Sequence, residues 1–520
     1  MFETNSNGIG SDIHQLPDGG SEMFSFRQQI PQIIFLSLLS CSLPAIGFAS
    51  AVSLPTTQLL PVVPGDPETR STPFIAWFMD LSLDGYVEEE YAVSGLANIY
   101  GYLDDAAESP EVEVIEADVP YTTRILVRRP AEAKRFNGTV IYEIFNATAG
   151  WDGDPIWQSN FDYIIRSGAV YVGMSTKPNT IDFLRDGWAA WPLVTRNASR
   201  YAAMSMPHFG QVWDMLSQTG LLLKTPGSSD NPLADFDVKR IIMVGYSQSA
   251  GYQVTYANSI HAMAMTPSGD PIIDGYFISA GGDNAKHVTG PTDSTPESLP
   301  NGDARNFMLG DAPQFRFQTQ TEVVGFGAYN VRQSEQDNPA TRFYEMAGGS
   351  HVDVAINFIG GKALVRDLGL PPSFCPDPAV PYNPIIIGYV QSALLDGLAK
   401  WISYGTEPPT SSFMELVFTN GSATIALDAH GNAIGGVRPP QIEVPLGTYL
   451  PNNSGPGFCF LFGGFDPFDD DTINSLYRNH GRYVSQMARE IKRSEKERFL
   501  LREDAATQRR DAAALDVGKK

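Results

Sequence analysis

Cysteine is scarce in this chain, with three in 520 residues, which excludes a small scaffold held together by many disulfides. Cations are also in deficit: Lys and Arg number 36 against 59 Asp and Glu, for a formal charge of −23. A surface of that sign repels phosphate backbones, so nucleic acid is not an expected partner. No repeat of fixed period is present, which argues against a solenoid or propeller. Only one long apolar run occurs, Ile33 to Val52. What the chain does have is 42% hydrophobic and 11% aromatic residues, enough for a sizeable core and too much for global disorder. Glycine (48) and proline (38) are plentiful, as expected of many turns and long loops rather than a helical bundle.

The apolar run carries the marks of an export signal. Arg27 precedes it, and Ala49-Ser50-Ala51 closes it with an A-x-A pattern. Residues 1–51 are therefore expected to be a leader cleaved after Ala51, with Met23 as an alternative start. Pro44, Gly47 and several serines dilute the run and oppose the alternative of a retained membrane anchor; lipidation at Cys41 is a third reading. The mature chain is then expected to be secreted or periplasmic, without stable membrane insertion. Two cysteines would remain, Cys375 and Cys459, and an oxidising compartment suggests one disulfide between them; two buried thiols are the alternative.

Beyond a proline-rich lead-in over 52–85, strand-like runs appear at Tyr86–Val93, Ala97–Tyr102 and Thr122–Val127. Val140–Phe145 is apolar apart from Glu143, as suits a strand buried on both faces. Strands and helices then alternate: strands at Ala169–Met174, Arg240–Gly245, Ile272–Ser279, Phe315–Thr321 and Arg342–Met346, and helices at Ala202–Leu223 and Gly251–Ala264. This order predicts an α/β fold with a mainly parallel sheet, helices on both faces and an antiparallel edge made by the early strands. The α/β core is expected over 75–362. Residues 363–520 read as a C-terminal extension packed on it, with a helix at Tyr389–Tyr404, a hairpin turning at Asn420-Gly421, a helix over Asp470–Phe499 and a charged, frayed end.

The central motif is Gly245-Tyr246-Ser247-Gln248-Ser249-Ala250-Gly251, entered from an apolar strand and left through a helical pattern. That is the setting of a nucleophile elbow, in which a serine sits on a sharp turn flanked by small residues. Gly245 supplies one small flank. Ser249 stands where G-x-S-x-G has its second glycine. Ser247 needs a base, and the chain order of this fold is serine, acid, histidine. Of the later histidines, His261, His287, His430 and His480 fall in a helix, a polar loop, a distal turn and a late helix. His351 follows a strand and the small-residue turn Ala347-Gly348-Gly349-Ser350, where a loop presents a base. The acid is expected at Glu322, after the preceding strand, with Asp337 as main competitor and Asp353 as a weaker one. Oxyanion donors are expected at the Gln248 N–H and at Asn146 or Ala147. Trp151 and Trp157 either wall an acyl pocket or belong to the core. Residues 281–312 could form a lid.

These residues resemble the bacterial and partly fungal family known as "alpha/beta hydrolase domain" proteins. The resemblance rests on Gly85-Tyr86-Val87-Glu88-Glu89-Glu90-Tyr91, Asn137-Gly138-Thr139-Val140 with Glu143 and Asn146, the elbow with serine after Ser-Gln, Ala347–His351, Trp401 with Gly405 and Pro408-Pro409, and Gly457-Phe458-Cys459. It runs from about residue 75 to 505. It implies a serine hydrolase acting through Ser247 and His351, supports Glu322 less strongly because aspartate is the commoner acid there, and implies family counterparts for Cys375 and Cys459. The expected reaction is hydrolysis of a small-molecule carboxylic ester through an acyl-enzyme, with no cofactor and no metal. The alternatives are a lactonase or acyltransferase on the same triad, or a non-catalytic binding protein of the same fold.

Overall fold

The computed structural model describes residues 52–62, 72–187, 198–289, 297–370, 373 and 375–518. The stretch read as a leader, residues 1–51, lies outside them. Among the described residues nine strands form one sheet: β1 (Thr56–Leu59), β2 (Tyr86–Tyr102), β3 (Val112–Pro130), β4 (Thr139–Ile144), β5 (Val170–Met174), β6 (Arg240–Tyr246), β7 (Gly275–Ser279), β8 (Gln314–Thr319) and β9 (Thr341–Met346), in the order β1-β2-β3-β5-β4-β6-β7-β8-β9. From β5 to β9 every pairing is parallel, while β1, β2 and β3 add an antiparallel edge. The two ribbons β10 (Leu416–Thr419) with β11 (Ser422–Ile425), and β12 (Gly447–Leu450) with β13 (Gly464–Pro467), are separate.

The helices are α1 (Pro155–Ser167), α2 (Pro178–Asp186), α3 (Ala198–Tyr201), α4 (Val212–Leu223), α5 (Gln248–Thr255), α6 (Gln320–Gly325), α7 (Gly361–Leu368), α8 (Gly388–Tyr404), α9 (Pro440–Glu443), α10 (Asp470–Tyr477), α11 (His480–Lys496) and α12 (Arg502–Ala514). The central strands are buried along their whole length, because helices cover both faces. One covering helix, α8, packs on β7, β8 and α1, so the core layer reaches past the boundary drawn at 362.

Several elements differ from expectation for local reasons. The strands read at 86–93 and 97–102 are one strand, irregular between Ala97 and Ile99 but unbroken. Residues 56–59 of the lead-in pair with β2 as the edge strand. The helix read over 202–223 begins at Val212: Pro207 interrupts, and the His208 side chain caps the turn that follows. Asn479 divides the late helix by capping α11 with its own Oδ1, 2.9 Å from the Arg482 nitrogen. The charged end is not frayed over 502–514; α12 buries Ala505 and Ala512 against α11. At the hairpin, Asn420 and Gly421 both have positive φ (51° and 82°), as a type I′ turn demands.

Candidate active site

The candidate site lies where parallel strands end and their loops diverge, the usual place for ligands in an open α/β sheet. Strand β6, between β4 and β7, runs directly into Ser247, whose backbone sits at φ 57° and ψ −119°. Such a conformation is costly for a residue with a Cβ and persists because its surroundings over-determine it. The Ser247 N–H donates to the Ser279 carbonyl at 2.9 Å, and the chain leaves at once as α5. Gly245 is required by space: a Cβ there would lie 2.9 Å from the Ser249 carbonyl oxygen.

His351 follows β9 and the turn 347–350. Its N–H donates to Thr321 Oγ1 at 3.0 Å, and Tyr246 Oη donates to its carbonyl at 2.5 Å. The rings of Tyr246 and Phe326 close on the imidazole, at 5.5 and 5.3 Å between centroids. Its Nδ1 meets Glu322 Oε1 at 2.7 Å. Glu322 is fully buried, and its other oxygen accepts the Thr319 N–H at 2.6 Å. The strand expected to reach residue 321 ends at Thr319, and Glu322 is the third residue of α6, its carboxylate reaching back to the N–H of the N-cap Thr319. The competitor Asp337 is exposed and bonded to Ser334. Asp353 is buried, accepts the N–H groups of Ile356 and Ile387, and is pushed up to about 6 by burial.

The other histidines have different surroundings. His261 is buried against Tyr276 Oη, His287 packs on Tyr102 and Asp105, His430 lies against Phe468, and His480 opens α11.

The oxyanion expectation needs one correction. The Asn146 N–H is taken by the Gly153 carbonyl at 2.8 Å, so it is not available as a donor. Asn146 instead ties the loop to the elbow, donating from Nδ2 to the Tyr246 carbonyl at 2.9 Å. The Ala147 N–H faces the elbow and donates to the Gln248 side-chain carbonyl at 3.2 Å. Gln248 is the first residue of α5, where backbone N–H groups lack intrahelical acceptors.

Two cavities meet at Ser247. The first, about 320 Å³, is lined by Trp151, Ile356, Phe458, Phe460 and Phe462 among others, with Tyr246, Ser247 and His351 at its base. Trp151 is thus a wall, whereas Trp157 is sealed in the core beneath Arg128. The second, about 190 Å³, is lined by Ser247, Gln248, Gly281, Asn284, Lys286 and Ser298. In the stretch 281–312, for which a lid is left open by the sequence, residues 281–289 and 297–312 bury Ala285, Val288, Leu299 and Met308 in the core and wall this second cavity; 290–296 lie outside the described residues.

Sequence reasoning missed a residue behind the elbow. Lys177, fully buried after β5, donates from Nζ to Ser249 Oγ at 2.9 Å and to the Phe145 carbonyl. Ser249 Oγ donates to that same carbonyl at 2.9 Å. The serine that replaces the motif's second glycine therefore binds the end of β4 to the start of α5. Burial pushes the Lys177 ammonium down to about 7. A lysine soon after an apolar strand, with no acid beside it in sequence, was the only available signal.

The C-terminal part supports the histidine loop. Asn383 Nδ2 donates to the Gly348 carbonyl at 2.7 Å, and Val352 bridges to Phe462. Cys375 and Cys459 form a buried disulfide, with Phe458 and Phe460 on either side of Cys459 at the first cavity. Among the described residues no helix is long and apolar enough to cross a membrane.

A family model described as "Alpha/beta hydrolase domain" matches residues 60–510. Among solved structures, the chain is similar to a methylesterase at 13% identity, over 50% of this chain and 50% of that one, with a TM-score of 0.27. It is similar to a dienelactone hydrolase from Anabaena variabilis at 12% identity, over 48% and 90%, with a TM-score of 0.27. It is also similar to a thermostable esterase from Pseudomonas putida at 14% identity, over 51% and 74%, with a TM-score of 0.28. The chain thus spans half the length of the first of these. No curated protein matches it.

Proposed function

The chain belongs to the alpha/beta hydrolase domain family, and from that premise we propose that it is a serine hydrolase that cleaves a carboxylic ester through an acyl-enzyme. The observation that carries this reading is a serine held at φ 57° on a strand-to-helix turn, sharing one cavity with a histidine whose far nitrogen lies 2.7 Å from a buried carboxylate. In this reading Ser247 attacks the carbonyl while His351 takes its proton, and Glu322 holds the imidazole in the tautomer that leaves Nε2 free as base. The oxyanion is met by the Gln248 N–H and by the Ala147 N–H, once substrate displaces the Gln248 side chain from the latter. His351 then protonates the leaving alcohol and activates water for deacylation. Lactone opening or transfer to an alcohol would use the same steps with a different acceptor.

Export is also proposed, on the leader-type sequence before residue 52 and the Cys375–Cys459 disulfide.

The test is hydrolysis of a short-to-long p-nitrophenyl ester series by wild type and Ser247→Ala, with labelling by a neutral serine-reactive phosphonate. Loss of the nucleophile should lower turnover on the order of 10⁴- to 10⁶-fold. Equal activity in the mutant, or a phosphonate adduct on another residue, would overturn the assignment.

A further inference from the structure

The two cavities at Ser247 differ in chemistry. The first is walled mainly by aromatic and aliphatic side chains, and no Asp, Glu, Lys or Arg is among the residues that line it. The second is small and polar, and it holds one charged side chain, Lys286. In a chain with a net charge of −23 most cations have carboxylate partners close at hand, yet the Lys286 ammonium is met by a hydroxyl, Ser298 Oγ at 2.7 Å. Among the described residues it makes no ion pair.

The position of this lysine is firmly set. Its N–H donates to Thr255 Oγ1 at 2.9 Å, its carbonyl accepts from the same hydroxyl, and it bridges to Ser298 across the loop. Thr255 is the last residue of α5, the helix that Ser247 opens, so the backbone of the loop that carries Lys286 is tied to the helix that follows the nucleophile. The floor between them is strained. Ala280, just past β7, takes φ 54°, and a Cβ on Gly281 would meet the Ala250 Cβ at 2.6 Å. Two non-glycine residues at positive φ, Ser247 and Ala280, therefore line this cavity, a pattern that accompanies binding and catalytic sites. A partly buried ammonium without a carboxylate is costly, and burial alone pushes Lys286 down from the usual lysine range. An incoming anion would remove that cost.

We propose that the second cavity receives an anionic group of the substrate, with Lys286 as its countercharge. The substrate is then an ester that carries a carboxylate or similar anion a few bonds from the scissile carbonyl on one side, and an apolar group on the other. The apolar group occupies the cavity walled by Trp151 and Phe460. This inference rests on the ester-hydrolase reading above and names its substrate class.

The test compares p-nitrophenyl hemiesters of short dicarboxylic acids with neutral p-nitrophenyl esters of matched length. Wild type should favour the hemiester in kcat/KM, and Lys286→Met should lower the ratio of anionic to neutral kcat/KM by about 10-fold or more, as expected for a lost charge-assisted contact. Lys286→Arg should restore most of it. A second measurement needs no variant: free succinate should inhibit wild type competitively, and succinamide should do so at least about 10-fold more weakly. Turnover of neutral esters with no preference for hemiesters, and equal inhibition by succinate and succinamide, would overturn the inference and leave the esterase reading intact. Absence of any ester turnover, with Ser247 unlabelled by the neutral phosphonate, would instead overturn the esterase reading.

Discussion

Glu322→Gln is the sharpest perturbation of the proposed triad, because the carboxylate has two donors to satisfy and an amide can satisfy only one. Oε1 faces His351 Nδ1 at 2.7 Å and Oε2 faces the Thr319 N–H at 2.6 Å, with no solvent access to the side chain. If the amide oxygen stays on His351, its NH2 confronts the Thr319 N–H, and a buried donor is left unmade at about 1–3 kcal/mol. If the oxygen turns to Thr319, the NH2 donates to Nδ1, the ring proton moves to Nε2, and no lone pair is left to take the serine proton. The second arrangement leaves the α6 cap intact and is the one we expect. Turnover should fall by roughly 10³- to 10⁴-fold, the scale seen when the orienting carboxylate of such a triad is made an amide. The melting temperature should move by less than a 3 kcal/mol loss would cause. Steady-state turnover of a neutral p-nitrophenyl ester and the phosphonate-labelling rate report the chemistry, and near-ultraviolet circular dichroism reports the fold. A folded Glu322→Gln enzyme within about 10-fold of wild type would refute the reasoning. So would a larger catalytic loss from Asp353→Asn, whose carboxylate holds two backbone N–H groups rather than the imidazole.

Three further outcomes follow from the geometry. Lys177 is held down to about 7, so between that pH and about 10.5 the unfolded chain carries a proton that the folded chain has released, and stability should rise with pH across this window. Lys177→Met should remove up to about 1.4 kcal/mol of that rise per pH unit; urea midpoints at pH 7 and 9.5 that move in parallel for both proteins would contradict it. Gly245→Ala should lower kcat by about 10²-fold and stability by roughly 1–3 kcal/mol, since its Cβ would press on the Ser249 carbonyl from 2.9 Å; a fully active variant would show that the elbow has slack. Replacing both Cys375 and Cys459 by serine opens a loop of 84 residues, worth up to about 4–5 kcal/mol by chain entropy, and should raise KM for long apolar esters more than for short ones through Phe458 and Phe460; an unchanged chain-length profile would disconnect the disulfide from the cavity wall.

The elbow was legible in the sequence because its demands are local: an apolar strand, a glycine where no Cβ fits, a serine and a helical start. The parallel sheet was legible for the same reason, as runs such as Val140–Phe145 need burial on both faces. Glu322 was reached by its place after a strand, although Thr319-Gln320-Thr321-Glu322 also spells a capping box that accounts for where the strand stops. The availability of Asn146 was not legible, since the Gly153 carbonyl takes its N–H across a loop. Nor was Lys177, because nothing in a linear reading says that an ammonium will be enclosed between Phe145 and Ser249. The end of the chain was misread for a related reason. Helix α12 carries charge on most of its surface, and only the presence of α11 makes its few alanines a buried stripe.

Two arginines on β3 limit how this protein can be recombined. Arg124 is enclosed with Glu90 and Asp152, and Arg128 with Glu88 and Asp154, while Arg200 and Tyr201 close on Glu90 from the far side. Removing one member strands a buried charge at about 3–5 kcal/mol, so the positions must change together or not at all. A chimera whose junction falls between Pro130 and Asp152 would separate both guanidiniums from half of their carboxylates. A junction beyond Tyr201 would carry the whole lattice with its parent, and gene-shuffling libraries of this family should keep residues 86–201 as one block.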